Sequence, residues 1–256
     1  MARLASKFGI LAFMVLVGVA CQAKTSPEHL TMLTSPDYCP YEFVIQSENG
    51  KSELVGFDID VAKAIADDLG VFLTIETRHF NQILPALERQ QADFAMAAIT
   101  PTRGRQKMAN FSNIYYAQTM AIVSRGDQPF TTLNSLINKT VGIRAASFHA
   151  QELARYSDIH QITFSSSDVL ITAVKTRQVD AIILDQAIAP KYVTPASQLI
   201  WTPVKMTEAT DGVAIAFPKL LSVELQTAVD DALVNLQQNG TMTALIHEWF
   251  DGYQCL

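Results

Sequence analysis

The chain has 256 residues, of which 49% are hydrophobic and 17% are charged, and its formal net charge is −6. This length suits one large or two small domains, and the apolar share is sufficient for a buried core. The composition excludes a disordered chain, because aromatic and β-branched residues occur throughout. No basic cluster or acidic tail concentrates the charge, so neither nucleic acid nor a membrane surface is an expected partner.

Residues 1–23 have the pattern of a secretory signal sequence. Basic residues precede an uncharged apolar run that is too short for a comfortable transmembrane helix, which disfavours a retained anchor. Two processing routes stay open: lipidation of Cys21 in a lipobox-like segment, or cleavage after Ala23. The mature protein is expected in the periplasm, either soluble or tethered through Cys21.

Strand-like and helix-like segments alternate along the chain, which predicts an α/β architecture. In the first half, a helix begins with Asp58 as its cap and ends at Gly70. A strand over 71–77, a helix over 81–90 and an apolar, buried strand over 92–99 follow. The second half repeats this order, with strands expected at 140–144, 162–164, 179–184 and 213–217 and helices at 147–156, 168–177, 222–238 and 241–250.

An internal similarity aligns residues 83–93 with residues 170–180. Each segment reads as a helix, a polar turn and an aspartate that leads into an apolar strand, which predicts two similar α/β lobes. Ala98 and Asp185 end the two strands. Ligands bind beyond the carboxyl ends of such strands, so the two ends are expected to face each other across a cleft. Chance similarity between two amphipathic helices is the alternative.

A set of short motifs follows in order along nearly the whole mature chain. Each motif is weak alone, but their order and spacing are specific. They are Tyr38-Cys39-Pro40-Tyr41-Glu42-Phe43, Gly56-Phe57-Asp58-Ile59-Asp60, Thr100-Pro101-Thr102-Arg103-Gly104-Arg105, Phe111-Ser112, Ala216-Phe217-Pro218-Lys219, Asn239-Gly240-Thr241 and Trp249-Phe250. Together they resemble the polar-amino-acid-binding family of periplasmic proteins, the receptors of ABC importers.

The resemblance implies a two-lobed α/β fold, the type II or Venus-flytrap periplasmic-binding-protein fold, with two hinge strands. The implied partners are a free amino acid and an ABC transporter permease, for a monomer that needs no cofactor and no metal. The implied boundaries are 28–117 plus 213–256 for lobe 1, 118–212 for lobe 2, and hinges near 116–119 and 207–212.

The family's chain path also bears on the cysteines. Either processing route removes Cys21 as a free thiol, which leaves Cys39 and Cys255 as a disulfide candidate in an oxidising compartment. The implied path returns the C-terminal helices to lobe 1, which holds Cys39, so the two cysteines can meet. Two unrelated thiols are the alternative.

The resemblance further implies how the backbone of an amino acid is held. Arg105 aligns with the arginine that binds the ligand carboxylate, a task suited to the planar guanidinium. Thr100 is implied to contact the same carboxylate, and Ser147 to open a helix whose N–H groups complete that contact. The carbonyl of Ala98 and the carboxylate of Asp185 are implied to accept from the ligand ammonium. For Thr100 and Asp185, simple helix capping is the alternative.

Four further residues are implied to surround the ligand side chain. Tyr38 and Phe80 align with aromatic walls, with Tyr41 behind them. Ser35 replaces an aspartate that several relatives carry, and Arg144 supplies a positive charge, which together favour a neutral polar or acidic amino acid. Stacking of the aromatic walls on a guanidinium would instead favour arginine.

An enzyme is the second class of function considered, because some proteins with this fold are dehydratases. Such an enzyme needs a general acid or base in the cleft. Glu42 and His149 are the nearby candidates, and the sequence shows no partner for either. We therefore expect a binding protein rather than an enzyme.

Overall fold

The computed structural model describes residues 28–47, 49–204, 212–221 and 223–253. Its strands are β1 (His29–Thr34), β2 (Asp37–Tyr38), β3 (Glu42–Gln46), β4 (Ser52–Val55), β5 (Phe72–Thr77), β6 (Phe94–Ala95), β7 (Ala109–Ala117), β8 (Met120–Arg125), β9 (Thr140–Arg144), β10 (His160–Phe164), β11 (Ala181–Asp185), β12 (Leu199–Val204) and β13 (Gly212–Pro218). Its α-helices are α1 (Phe57–Leu69), α2 (Phe80–Glu88), α3 (Phe148–Leu153), α4 (Ser167–Lys175), α5 (Ala189–Tyr192), α6 (Val223–Gln238) and α7 (Thr241–Ile246), and a π-helical turn over His247–Gly252 continues α7. The predicted signal sequence, Cys21 and Cys255 lie outside the described residues.

Two five-stranded sheets form the cores of two lobes. Their strand orders are β5-β1-β6-β13-β7 and β10-β9-β11-β8-β12. In each sheet the first three strands are parallel, and an antiparallel strand, β13 or β8, pairs next to them. The chain crosses between the sheets after β7 and again before β13, where the hinges were predicted. Residues 207–211 of the second predicted hinge, 207–212, lie outside the described residues, so the lobe boundaries stay predictions.

The internal repeat is confirmed in its details. Asp93 accepts the N–H of Thr31 through its side chain, and its own N–H donates to the Thr31 carbonyl. Asp180 makes the same two bonds with Thr140. Each aspartate therefore joins the loop before β6 or β11 to the neighbouring parallel strand, β1 or β9, and holds the two strands together at that point.

Helix α1 begins two residues earlier than predicted, with Gly56 rather than Asp58 at the cap position. The preceding Gly56 has φ of 134°, and a Cβ there would lie 2.3 Å from the carbonyl oxygen of Tyr41. Only glycine tolerates this close approach. The helix ends at the left-handed Gly70, as predicted. The Asp58 side chain is buried and directed instead towards the cleft.

Residues 94–99 of the apolar segment are buried, as expected, but only Phe94–Ala95 forms a strand. Four residues past the start of β6, Ala98 adopts φ of 48°, and this left-handed turn takes the backbone out of the sheet. Strand prediction from an apolar run does not detect such a turn. The departure from the sheet presents the backbone of Ala98 to the cleft.

Candidate functional site

A cleft lies between the two lobes at the carboxyl ends of β6, β9 and β11. The free cavity volume within it is about 20 Å³. All of the predicted ligand-contacting residues except Ser35 line it. The lining residues are Tyr38, Phe80, Ala97, Ala98, Thr100, Arg105, Gln118, Arg144, Ser147, Phe148, His149 and Asp185.

Arg105 begins a short 3-10 turn, Arg105–Lys107, and is 6% exposed. Its guanidinium donates to the carbonyl of Thr100 at 2.9 Å and to the carbonyl of Ala146 on the other lobe at 3.0 Å. Burial, with a smaller effect of nearby Arg144, lowers the pKa of Arg105 to about 10, so it is protonated at neutral pH. Among the described residues no carboxylate forms an ion pair with it. A buried cation in this position calls for an anionic partner.

Asp185, the last residue of β11, is buried on the opposite wall of the cleft. It accepts hydrogen bonds from the hydroxyl of Tyr38 on lobe 1 and from Nε2 of His149, the latter at 3.1 Å. The sequence showed no partner for His149, and this interpretation was wrong because Asp185 is its partner. Asp185 faces the cleft with a negative charge from lobe 2 while Arg105 brings a positive charge from lobe 1.

Ala98 is held in its left-handed conformation from below. Its N–H donates to the carboxylate of Asp58 at 2.8 Å, and the hydroxyl of Tyr115 donates to the same carboxylate at 2.8 Å. Burial raises the pKa of Asp58 to about 6, although these two hydrogen bonds oppose the shift. Asp58 thus supports the backbone that borders the ligand site.

Tyr38 lines the cleft, and Tyr41 packs behind it. Tyr38 stacks on Tyr41, with ring centroids 5.6 Å apart and planes inclined by 10°. Tyr41 in turn meets the edges of Phe57 and Phe250, so the wall rests on the lobe 1 core. On lobe 2, Ser147 caps α3 by accepting from the N–H of Ala150, as expected.

Arg144 and Ser35 contact each other, but the predicted excess of positive charge at this point was wrong. Nη2 of Arg144 donates to the hydroxyl of Ser35 at 3.0 Å and to the carboxylate of Asp37 at 2.5 Å. Asp37 was not predicted, because the aspartate that several relatives carry aligns with position 35, where this chain has serine. The countercharge is present two residues further along the chain, in β2.

Sequence reasoning also did not assign Ala97, Gln118 or Phe148 to the site. Phe148 and His149 follow the helix cap Ser147, and the first turn of a helix whose cap borders a cleft is the signal that would have found them. Gln118 lies at the crossing between the lobes, between β7 and β8. Its position beside the cleft could be predicted only from the hinge expected at 116–119.

Below the cleft, Glu42 is a fully buried carboxyl group. Burial raises its pKa well above the usual value, the nearby charge of Asp58 adds to the rise, and Arg144 partly offsets it. A group whose pKa is raised by folding stabilises the folded state at low pH and loses that contribution as the pH rises. Because of Glu42, the free energy of unfolding therefore decreases as the pH rises above about 4.3, the usual glutamate pKa.

We expect Glu42→Gln to remove this pH dependence, because glutamine matches the protonated acid in shape and has no charge. Near pH 4 the variant and the wild type should have the same free energy of unfolding. Above that pH the variant should become the more stable of the two, by up to about 1.4 kcal/mol per pH unit. Urea unfolding at pH 4, 5.5 and 7 measures the difference. Glu53→Gln, which removes an exposed carboxylate on β4, is the matched control. A pH-independent difference between Glu42→Gln and wild type would contradict the prediction.

Neither a metal site nor a membrane-spanning helix is found among the described residues. No group of histidine, cysteine and acidic side chains within them is arranged to hold a metal ion. In the same ranges, no helix has both the length and the apolar character needed to cross a bilayer.

The sequence model of the bacterial extracellular solute-binding proteins, family 3, matches residues 30–252. The chain belongs to this family. The family 3 relatives include the arginine-binding extracellular protein ArtP of Bacillus subtilis (strain 168), which is 30% identical over 236 residues, 90% of this chain and 89% of the relative. The resemblance stated from the motifs is therefore confirmed.

Solved structures confirm the type II periplasmic-binding-protein fold of this family 3 chain. An ancestral arginine-binding protein bound to glutamine has a TM-score of 0.78 and 31% identity, over 90% of this chain and 100% of the other. An amino acid ABC transporter substrate-binding protein from Streptococcus pneumoniae, bound to L-arginine, has a TM-score of 0.80 and 29% identity, over 88% of this chain and 95% of the other.

Proposed function

We propose that this protein binds a free α-amino acid in the cleft and delivers it to the permease of an ABC importer. The observation that carries the proposal is the pair of opposite charges that the two lobes direct into one buried site. Arg105 suits an α-carboxylate and Asp185 suits an α-ammonium, so the site complements a zwitterion. The relatives named above bind amino acids, and family 3 consists of solute-binding proteins, which supports this assignment.

The contacts between the lobes support a closing mechanism. Arg105 of lobe 1 reaches the Ala146 carbonyl of lobe 2, and Tyr38 of lobe 1 reaches Asp185 of lobe 2. A ligand that contacts both lobes binds the closed arrangement better than an open one and shifts the population towards it. The closed arrangement is the state that a permease would recognise.

For the ligand side chain we propose an uncharged polar group. Arg144 is neutralised by Asp37, so the part of the site that faces the side chain carries little net charge. A cationic side chain would approach Arg144, and an acidic one would approach Asp37. The names of the relatives favour arginine instead, although the ancestral arginine-binding protein was also solved with glutamine.

A thermal-shift screen against the twenty amino acids tests the function. A ligand present at 1,000 times its Kd stabilises the native state by about 4 kcal/mol. For a chain of this size that corresponds to a rise in Tm of roughly 10 °C. We expect uncharged polar amino acids to give the largest rise.

The control ligands are the same amino acid as its carboxamide and as its deaminated analogue. Each lacks one of the two charges that Arg105 and Asp185 would bind, so each should give little shift. Mass spectrometry of the recovered ligand should show it unchanged, whereas conversion would favour a dehydratase that uses His149 with Asp185. No shift with any amino acid would refute the proposed function.

A further inference from the structure

The side chain of Arg144 occupies the space beside both aromatic walls of the cleft. Arg144 is the last residue of β9 and is 5% exposed. Its guanidinium carbon lies over the ring of Tyr38, 4.7 Å from the centroid, and over the ring of Phe80, 4.6 Å from the centroid. Both distances are within the range of cation–π attraction. The two rings of lobe 1 therefore already hold a guanidinium, and it comes from lobe 2.

Lobe 1 also supplies the countercharge of this guanidinium. The carboxylate of Asp37 accepts from Arg144 at 2.5 Å and from the hydroxyl of Ser35 at 2.6 Å. Ser35 itself accepts from Arg144. Two aromatic faces and a carboxylate are what a bound arginine or lysine side chain would need. In this protein the same groups are engaged by Arg144.

A buried donor of Arg144 is left unused. Its Nε is buried and has no hydrogen-bond partner among the residues that the structure describes. Burying an N–H without an acceptor is unfavourable, so the site gains when an acceptor oxygen reaches it. An amide carbonyl or a hydroxyl on a ligand side chain provides such an oxygen without adding charge.

We propose that Arg144 is a built-in occupant of the cationic subsite and thereby determines specificity. It excludes arginine and lysine because it occupies the aromatic rings and the carboxylate that their side chains would need. It favours uncharged side chains that carry an acceptor oxygen, through Nε. This inference rests on the proposed function, since it concerns which amino acids the same cleft accepts.

Isothermal titration calorimetry with L-arginine, L-lysine, L-glutamine, L-asparagine and L-serine tests the inference. The wild type should bind at least one of the uncharged amino acids ten times more tightly than L-arginine. Arg144→Ala frees Tyr38, Phe80 and Asp37. The ratio of affinities should therefore shift towards L-arginine by at least a hundredfold.

A second substitution separates charge from space. Adding Asp37→Asn to Arg144→Ala removes the carboxylate but keeps the cavity, so most of the gain for L-arginine should disappear. Arg177→Ala is the matched control: it removes an exposed lobe 2 arginine that is ion-paired with Asp127, outside the cleft. It should leave the ratio as in the wild type. If Arg144→Ala does not fold, Arg144→Gln removes the same charge and keeps a polar group.

Three results would overturn the inference. The wild type could bind L-arginine more tightly than every uncharged amino acid. The folded Arg144 variant could keep the wild-type ratio, while the wild type binds an uncharged amino acid as expected. In that second case the proposed function stands and only the role of Arg144 fails. If the wild type binds no amino acid at all, the proposed function fails and the inference falls with it.

Discussion

Replacing Arg105 with alanine is expected to abolish amino-acid binding while the fold survives. The guanidinium is buried, protonated, and joined only to backbone carbonyls among its described hydrogen-bond partners, Thr100 and Ala146. Removing one partner of a buried charge pair costs about 3 kcal/mol or more, which is a loss of affinity of roughly 150-fold. Calorimetry with the amino acid that gives the largest thermal shift measures it.

Two further variants make the Arg105 result specific. Arg103→Ala removes an exposed arginine from the same loop and should leave the affinity unchanged. Arg105→Lys keeps a positive charge but loses the planar fork that contacts a carboxylate at two points, so it should recover only part of the affinity. Near-native binding by Arg105→Ala, with an unchanged Tm of the free protein, would mean that the carboxylate is bound elsewhere.

A disulfide between Cys39 and Cys255 is expected to be the largest single covalent contribution to stability. Cys255 lies outside the described residues, so the pairing stays a prediction. The structure supports its geometry near Cys39: the ring of Tyr253 lies 5.2 Å from that of Phe43, at the start of β3, and Cys39 precedes that strand. Tyr253, two residues before Cys255 in the sequence, therefore lies near the segment that follows Cys39.

The bridge would close a loop of roughly 215 residues, for which the chain-entropy model gives about 5 kcal/mol as an upper figure. Guanidinium unfolding of the protein with both residues changed to serine should show a large part of that loss. Alkylation of the mature, denatured protein without reductant checks the bond itself by mass spectrometry. Two alkylated thiols, at Cys39 and Cys255, would rule the disulfide out.

The cleft contains two buried arginines, Arg105 and Arg144, whose surroundings differ. Arg105 is a cation without a carboxylate partner among the described residues, and this marks a place for the ligand's own anion. Arg144 is a cation that forms an ion pair with Asp37, and we propose that it excludes other cations from this part of the cleft. In this proposal one arginine binds the ligand and the other selects it, and the two differ in whether a carboxylate of the protein lies beside them.

The sequence by itself predicted the architecture and, through the family resemblance, the residues proposed to bind the backbone of the ligand. Helical and strand periodicity predicted the alternating elements, and the repeated aspartates, Asp93 and Asp180, predicted two similar lobes. These signals are local, because periodicity and short motifs depend on neighbours a few residues apart. For the same reason the motif containing Arg105 and the end of the apolar strand at Asp185 were recognisable without coordinates.

Only the tertiary structure decided what surrounds these residues. Asp37 pairs with Arg144 across 107 positions of the chain, and Asp58 supports Ala98 across 40. No local pattern encodes which lobe 1 carboxylate meets which lobe 2 guanidinium, because that depends on how the two sheets face each other. Asp58 was predicted to be a helix cap because it lies at the start of a helix. The sequence gives no sign that it is buried and bonded to the N–H of Ala98. The charge balance of the cleft, and with it the selectivity proposed here, is a property of residues that are distant in sequence and become neighbours only when the two lobes meet.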